Sequence, residues 1–347
     1  MRPSLLSIKL ATLLGVALLG LLATLPRSPA ADQKDTIVRK KIEYGGWKNN
    51  ISLSNGDVEL IATLDVGPRV ISYKLPGGKN VFKEYADQLG KSGEPDWQIR
   101  GGHRLWIGPE DLTRTYFPDN APLRYEEIEG GVRLLPPVEK EYGTQKEIDL
   151  RLDPKGTKVQ MVHRIKNVGD KPLELAVWPS SVMAAGGIEI IPLPPHKPHP
   201  GSPKNARTPA DFGPNMTVAL WPYFDFKDPR WNLGSKYLTL KQDAKKGPTK
   251  LGLAHREGWV AYLNDGTLFV KRFDYKKDAT YPDNGVNFET FTNEDMLELE
   301  TLAPVVQLQP GKSVEHVEKW ELIKGVDSFN GEAGIDKNVL PKVRGER

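Results

Sequence analysis

Residues 148–177, "IDLRLDPKGTKVQMVHRIKNVGDKPLELAV", decide the fold class. Ile148, Leu150 and Leu152 alternate with polar residues and run into the turn "DPKG". Val159, Met161, His163 and Ile165 then share one face before "NVGDKP" leads into Leu173, Leu175 and Val177. A period of two puts alternate side chains on one side of an extended strand. The Pro, Gly, Asn and Asp at the breaks suit tight turns. The stretch therefore predicts successive antiparallel strands, with "NVGDKP" closing a hairpin-like return.

The same grammar extends outward. Val58, Leu60, Ala62 and Leu64 alternate before "DVGPR" turns the chain into Val70 to Leu75. "WVAYL", "NDG" and "TLFVKRF" predict a hairpin over 259–273, and strands follow at Met296 to Leu302 and Val314 to Leu322 across "QPGK". Only "VFKEYADQLGK", residues 81–91, reads as a helix. Residues 192–214 hold eight prolines and predict an extended surface loop, because proline donates nothing to a sheet ladder. No internal repeat is visible. One all-β antiparallel sandwich over 32–324 is expected, with an irregular tail over 325–347; two domains split at the proline-rich loop are the alternative.

Residues 1–31 read as a signal peptide. Arg2 and Lys9 flank the start, an apolar run spans Leu10 to Leu25, and Ser28-Pro29-Ala30-Ala31 offers a small-residue cleavage site. This predicts a protein exported to the periplasm or the extracellular space, touching a membrane only if the leader stays uncleaved. Without cysteine there are no disulfides, thiolate metal sites or cysteine nucleophile. The formal charge of +3 comes from Arg2, Lys9 and Arg27 in the leader, so no basic excess remains to track nucleic acid. Oligomeric state leaves no mark in the sequence.

His196 and His199 in "PHKPHP" lack a neighbouring carboxylate, and His163 sits on an apolar strand face, so no metal site is expected. There is no nucleophile elbow and no phosphate-cradling glycine loop. The denser chemistry lies in "QIRGGHRLWIGPED", residues 98–111, where Arg100, His103, Arg104 and Trp106 surround Gly101-Gly102. A fixed cation, an imidazole and a stacking ring beside flexible backbone suit a polyhydroxylated or anionic small molecule; ion pairing around a tight turn explains the same residues. In "DMLELETLAP", Leu297 and Leu299 share one face and Glu298 and Glu300 the other. That carboxylate pair suits sugar hydroxyls or general-base work, and equally a solvated sheet face.

These two clusters, with "DVGPRVISYKLPGGKNVF", "NVGDKPLELAVW", "DPRW", "FVKRF" and "LQPGKSVEHVEKWEL" in order over residues 55–323, resemble the aldose 1-epimerase (galactose mutarotase-like) superfamily. The likeness is greatest to an exported branch with "GGHRLW..PED" and "LELETLAP". The resemblance implies a β-supersandwich of large antiparallel sheets with a sugar cleft and no metal or organic cofactor. It implies Glu300 as general base and Arg100 as a substrate ligand. Where the family has its second catalytic histidine stands "AVWPSSVM", with Trp178, so His103 is the candidate acid if it faces Glu300. Arg104, Trp106, Trp178, Lys271 and Glu298 complete the expected carbohydrate site. The functional expectation is a carbohydrate-binding protein that interconverts anomers, the alternative a non-catalytic glycan-binding or structural envelope protein.

Overall fold

The computed structural model describes residues 37–345; the leader call on 1–31 lies outside the described residues. Two large antiparallel sheets face one another, one of eleven strands and one of ten. At the centre of the first, the strands Gly102–Gly108, Leu173–Ala184, Met296–Thr301, Phe288–Thr292 and Thr249–Leu253 lie side by side. The second contains Thr144–Leu152, Val159–Asn167, Ser313–Lys324, Thr267–Phe273 and Trp259–Asn264 in that order. The architecture is an all-β sandwich of two large antiparallel sheets. Among the described residues, no helix is long and apolar enough to cross a membrane.

The alternation seen in the sequence fills the space between the sheets. Ile148, Leu150, Met161 and Ile165 from the second sheet meet Leu175, Val177, Leu297 and Leu299 from the first in one apolar core. Tyr73, Phe82, Phe269 and Trp320 pack within it, with Phe269 and Trp320 centroids 5.7 Å apart. Offset aromatic packing of this kind adds to the burial of their large apolar area.

Three local expectations are corrected. "NVGDKP" does not close a hairpin: Val159–Asn167 pairs with Ser313–Lys324, while Leu173–Ala184 enters the other sheet. Asn167 fixes this crossover, its amide donating to the carbonyls of Lys171 and Leu308, each at 2.8 Å. Residues 81–84 are extended because their backbone is claimed by the sheet, with Lys83 N donating to Val182 O at 2.9 Å and Gly102 N to Lys83 O at 3.0 Å. The tail is partly helical: Ile335 and Val343 from the helices Gly331–Asn338 and Leu340–Arg344, with Val339 between them, share a spacing of four and cover Ile190, Ala261 and Val270.

The Gly101-Gly102 pair has a packing reason. Both residues have positive φ, and a Cβ on Gly101 would strike the Lys83 carbonyl, one on Gly102 the Val70 carbonyl. Glycine alone admits so close a backbone approach.

Candidate functional site

The hydrogen-bond register of the first sheet assembles the site. Arg69 pairs with Arg104, Arg104 with Ser180, Ser180 with Glu300, and Glu300 with Glu289. Residues directly opposite one another share a face, so these side chains form one row across four strand boundaries, on the face away from the apolar core. Glu298 lies two residues before Glu300 on that face, and Trp106 and Trp178 form the adjoining row.

Lys250, from Thr249–Leu253, binds this row together. Its Nζ lies 2.6 Å from Glu289 Oε2 and 3.3 Å from Glu300 Oε2. Glu300 Oε2 also accepts from Trp178 Nε1 at 2.9 Å. Arg104 Nη2 donates to Glu298 Oε1 at 2.7 Å, with its guanidinium 3.9 Å from the Trp106 ring centroid and 5.3 Å from that of Trp97. Trp97, Trp106 and Tyr116 pack mutually at 5.3–5.4 Å. Trp221 caps Lys250, its ring centroid 4.7 Å from Nζ. The row thus lies beneath a layer of aromatic rings.

Several of these buried groups lack an internal partner. Arg104 Nε and Nη1, Trp106 Nε1, Ser180 Oγ, both carboxylate oxygens of Glu289 and Glu300 Oε1 have no hydrogen-bond partner among the described residues. A buried polar atom left unpaired costs about 1–3 kcal/mol, and native structures seldom leave several on one surface. Along this face the donors stand at the Arg104–Trp106 end and the carboxylate oxygens at the Glu300–Glu289 end, with Ser180 between.

The charges are strained in the same place. Burial pushes the Glu289 carboxyl well above its ordinary range; Lys250 opposes this, while Glu300 and Asp283 reinforce it. Burial also raises Glu300, with Lys250 opposing and Glu298 adding to the shift. Lys250 is desolvated too, yet the facing carboxylates of Glu300 and Glu289 more than compensate and hold its ammonium form.

Glu300, Glu298, Arg104, Trp106 and Trp178 are therefore brought together. His103, Lys271 and Arg100 are not, and their expected places are corrected. Strand alternation sends His103 to the opposite face from Arg104, into the space between the sheets, so it does not face Glu300. Lys271 reaches the same interior space from the other sheet, donating to Glu318 Oε1 at 3.0 Å and Leu299 O at 2.9 Å. Arg100 is engaged by the neighbouring loop through Lys91 O at 2.9 Å and Glu94 Oε2 at 2.5 Å.

His103 belongs to a buried polar chain. His163 Nδ1 faces the His316 carbonyl at 3.2 Å and must donate to it, so His163 Nε2 accepts from His103 Nε2 at 2.7 Å. His103 Nδ1 then accepts from the Ser181 hydroxyl at 2.8 Å. Nearby, Thr301 Oγ1 contacts His316 Nε2 at 2.8 Å and donates to Glu318 Oε1 at 2.6 Å, while Trp320 Nε1 donates to Glu318 Oε2 at 2.8 Å. Burial keeps His163 and His316 neutral, lowering each to about 3, and lowers His103 well below its usual range. The ligand-type atoms of His103, His163 and Glu318 lie within 4.8 Å of one another. Each is already hydrogen-bonded, and Lys271 supplies the cation facing Glu318, so the cluster reads as an internal polar clamp.

Glu289, Ser180, Lys250, Trp97, Tyr116 and Trp221 were not singled out from sequence. Glu289 was within reach: "NFETFTNEDMLELET" is a hairpin about Asn293–Asp295, and counting outward sets Glu289 opposite Glu300. A cavity of about 700 Å³ between the proline-rich loop and the C-terminal helices, lined by Tyr237, Trp259 and Asp336 among others, shares no residue with this row.

No family model and no curated protein matches the sequence. Solved structures do match in fold. A galactose mutarotase-like protein from Lactobacillus casei aligns with a TM-score of 0.53 at 10% identity, covering 79% of this chain and 100% of that one. A putative mutarotase from Salmonella typhimurium gives 0.52 at 12% identity, with 83% and 94% covered. A putative aldose 1-epimerase from Klebsiella pneumoniae gives 0.50 at 11% identity, with 90% and 88% covered. At such identities the likeness establishes the fold.

Proposed function

We propose that this protein is an exported carbohydrate-binding protein that interconverts sugar anomers on the Arg104–Ser180–Glu300–Glu289 row. The observation that carries the reading is the set of partnerless buried donors and acceptors along one sheet face beneath Trp97, Trp106, Tyr116 and Trp178. A pyranose matches both features, because its hydroxyls donate and accept while its C–H faces pack on aromatic rings. Arg104 Nε and Nη1 and Trp106 Nε1 would donate to sugar oxygens, and Glu298 would hold Arg104 in place. Glu300 Oε1 would accept the proton of the anomeric hydroxyl, and burial that raises Glu300 strengthens it as a base. The rings must part for a sugar to enter, since Glu300, Arg104 and Ser180 are fully buried.

A non-catalytic glycan-binding module is the second reading. It is favoured by Trp178, which holds Glu300 where the family resemblance leads one to expect an acid, and by His103 lying on the other face.

The test is NMR exchange between α and β anomers over a panel of aldoses, uronic acids and sugar phosphates. Exchange accelerated by the mature protein and lost in Glu300→Gln is the expected result. Sugar line broadening without acceleration supports the binding module, and neither effect with any sugar rejects both readings.

A further inference from the structure

The catalytic reading leaves the proton donor to the ring oxygen unassigned, because His103 is turned away and indole does not donate protons at neutral pH. We infer that Glu289 is that donor: a carboxylic acid directly opposite Glu300, bearing its proton on Oε1. The inference rests on the reading above and completes it.

The geometry carries the assignment. Glu289 and Glu300 are opposite residues on adjacent antiparallel strands, so their side chains leave one face side by side. One ammonium, Lys250, serves both, touching Oε2 of each. Of the other charged groups around Glu289, Arg104 is matched by Glu298 on the neighbouring strand, and Asp283, in the turn Pro282–Gly285, adds further negative charge. Two buried carboxylates facing a single cation leave one negative charge in excess, and a site closed to water relieves that excess by retaining a proton. Glu300 Oε2 accepts from both Lys250 and the Trp178 indole, which favours its ionised form. Neither oxygen of Glu289 accepts a hydrogen bond among the described residues, Oε2 having only its ion-pair contact with Lys250, so the proton belongs on Glu289, on the Oε1 that Lys250 leaves free. Gly252, the residue opposite Glu289 on its other side, leaves room for this side chain: a Cβ there would lie 3.3 Å from Glu289 Cγ and from Trp221 Cζ3.

The step balances. Glu300 takes the proton of the anomeric hydroxyl as the carbonyl forms at C1. The C1–O bond of the ring breaks, and the ring oxygen takes the Glu289 proton. After the aldehyde rotates, Glu289 recovers a proton from the ring hydroxyl as it attacks the other carbonyl face, and Glu300 returns its proton to the new anomeric oxygen. No oxidant, metal or co-reactant enters.

Side-chain carboxyl ¹³C NMR of glutamate-labelled protein reads the proton without any sugar, and anomer exchange reads its transfer. Besides the interior Glu189, which burial raises well above its ordinary range, one further glutamate carboxyl with the shift of a neutral acid near pH 7 is expected. It should vanish in the charge-conserving Glu289→Asp, whose aspartate carries no label, and persist in Glu300→Asp, while Glu289→Gln should lose exchange by about 10²–10⁴-fold. Glu289→Asp, which keeps an acid, should recover part of that rate. A neutral signal that survives Glu289→Asp and disappears in Glu300→Asp overturns the assignment, as does the absence of any neutral carboxyl beyond that of Glu189. Exchange undiminished in Glu289→Gln overturns the transfer step. The expected neutral carboxyl in a wild-type protein that exchanges no aldose overturns the transfer step together with the catalytic reading, while the position of the proton stands.

Discussion

The two faces of the first sheet carry polar groups side by side along the same strands and treat them in opposite ways. Toward the core, His103, Ser181 and Thr301 join His163, His316, Glu318 and Lys271 in hydrogen bonds that use the groups they bring. Away from the core, Arg104, Ser180 and Glu300, each one residue removed, retain donors and acceptors that nothing in the fold uses. The first set holds the sheets together; on the proposed reading the second is kept open for a ligand at a cost to stability. On the proposed reading, satisfaction of hydrogen bonding more than residue type separates structure from function, for histidine is the more familiar catalytic residue and these buried imidazoles are hydrogen-bonded within the fold.

The largest effect should come from cutting the core clamp. Lys271→Met leaves Glu318 as an uncompensated buried carboxylate, which should cost about 3–5 kcal/mol in urea unfolding. Glu300→Gln, at an equally buried position on the other face, should change stability by no more than about 1 kcal/mol while abolishing anomer exchange. Equal losses of stability would erase the distinction between the faces.

The pH dependence should divide along the same line. His163 and His316 titrate at about 3 in the fold, against roughly 6.5 when unfolded, so below about 6.5 the unfolded chain takes up protons that the folded one refuses. Stability should therefore rise with pH across that window, by roughly 1.4 kcal/mol per unit for each histidine. Glu289 and Glu300 are raised and work in the opposite sense, their contribution falling as pH climbs above the unfolded carboxylate range. Urea midpoints from pH 4 to 7 should thus rise more steeply in Glu289→Gln than in the wild type. An unchanged slope would mean that the outer carboxylate retains no proton.

Much of this contrast could be read from the chain. Period-two alternation set Leu297 and Leu299 against Glu298 and Glu300, and the hairpin of Trp259–Asn264 with Thr267–Phe273 stands where its "NDG" turn indicates. The same alternation, applied to "GGHRLW", separates His103 from Arg104 and Trp106, whereas the sequence reading had grouped all three in one cleft. Which face meets a ligand was not legible, because both faces of this sheet are buried and both carry polar groups. Lys250 was invisible for another reason. It stands alone in "GPTKLGLAH", and only the pairing of distant strands sets it beside Glu289 and Glu300. The double glycine seemed made for a ligand, while the structure spends it on the approach of residues 81–84.

Ser180 and Ser181 offer the most direct test, since they are adjacent, both fully buried, and divided only by the face they occupy. Ser181 donates to His103 Nδ1 at 2.8 Å, and Ser180 Oγ has no partner among the described residues. The measurement is urea unfolding of Ser180→Ala and Ser181→Ala beside the wild type. Ser181→Ala should lose about 1–3 kcal/mol by orphaning a buried imidazole nitrogen, and Ser180→Ala should be neutral or more stable than the wild type. Comparable losses in both variants would show that the outer row serves the fold as much as the inner one, contradicting the account.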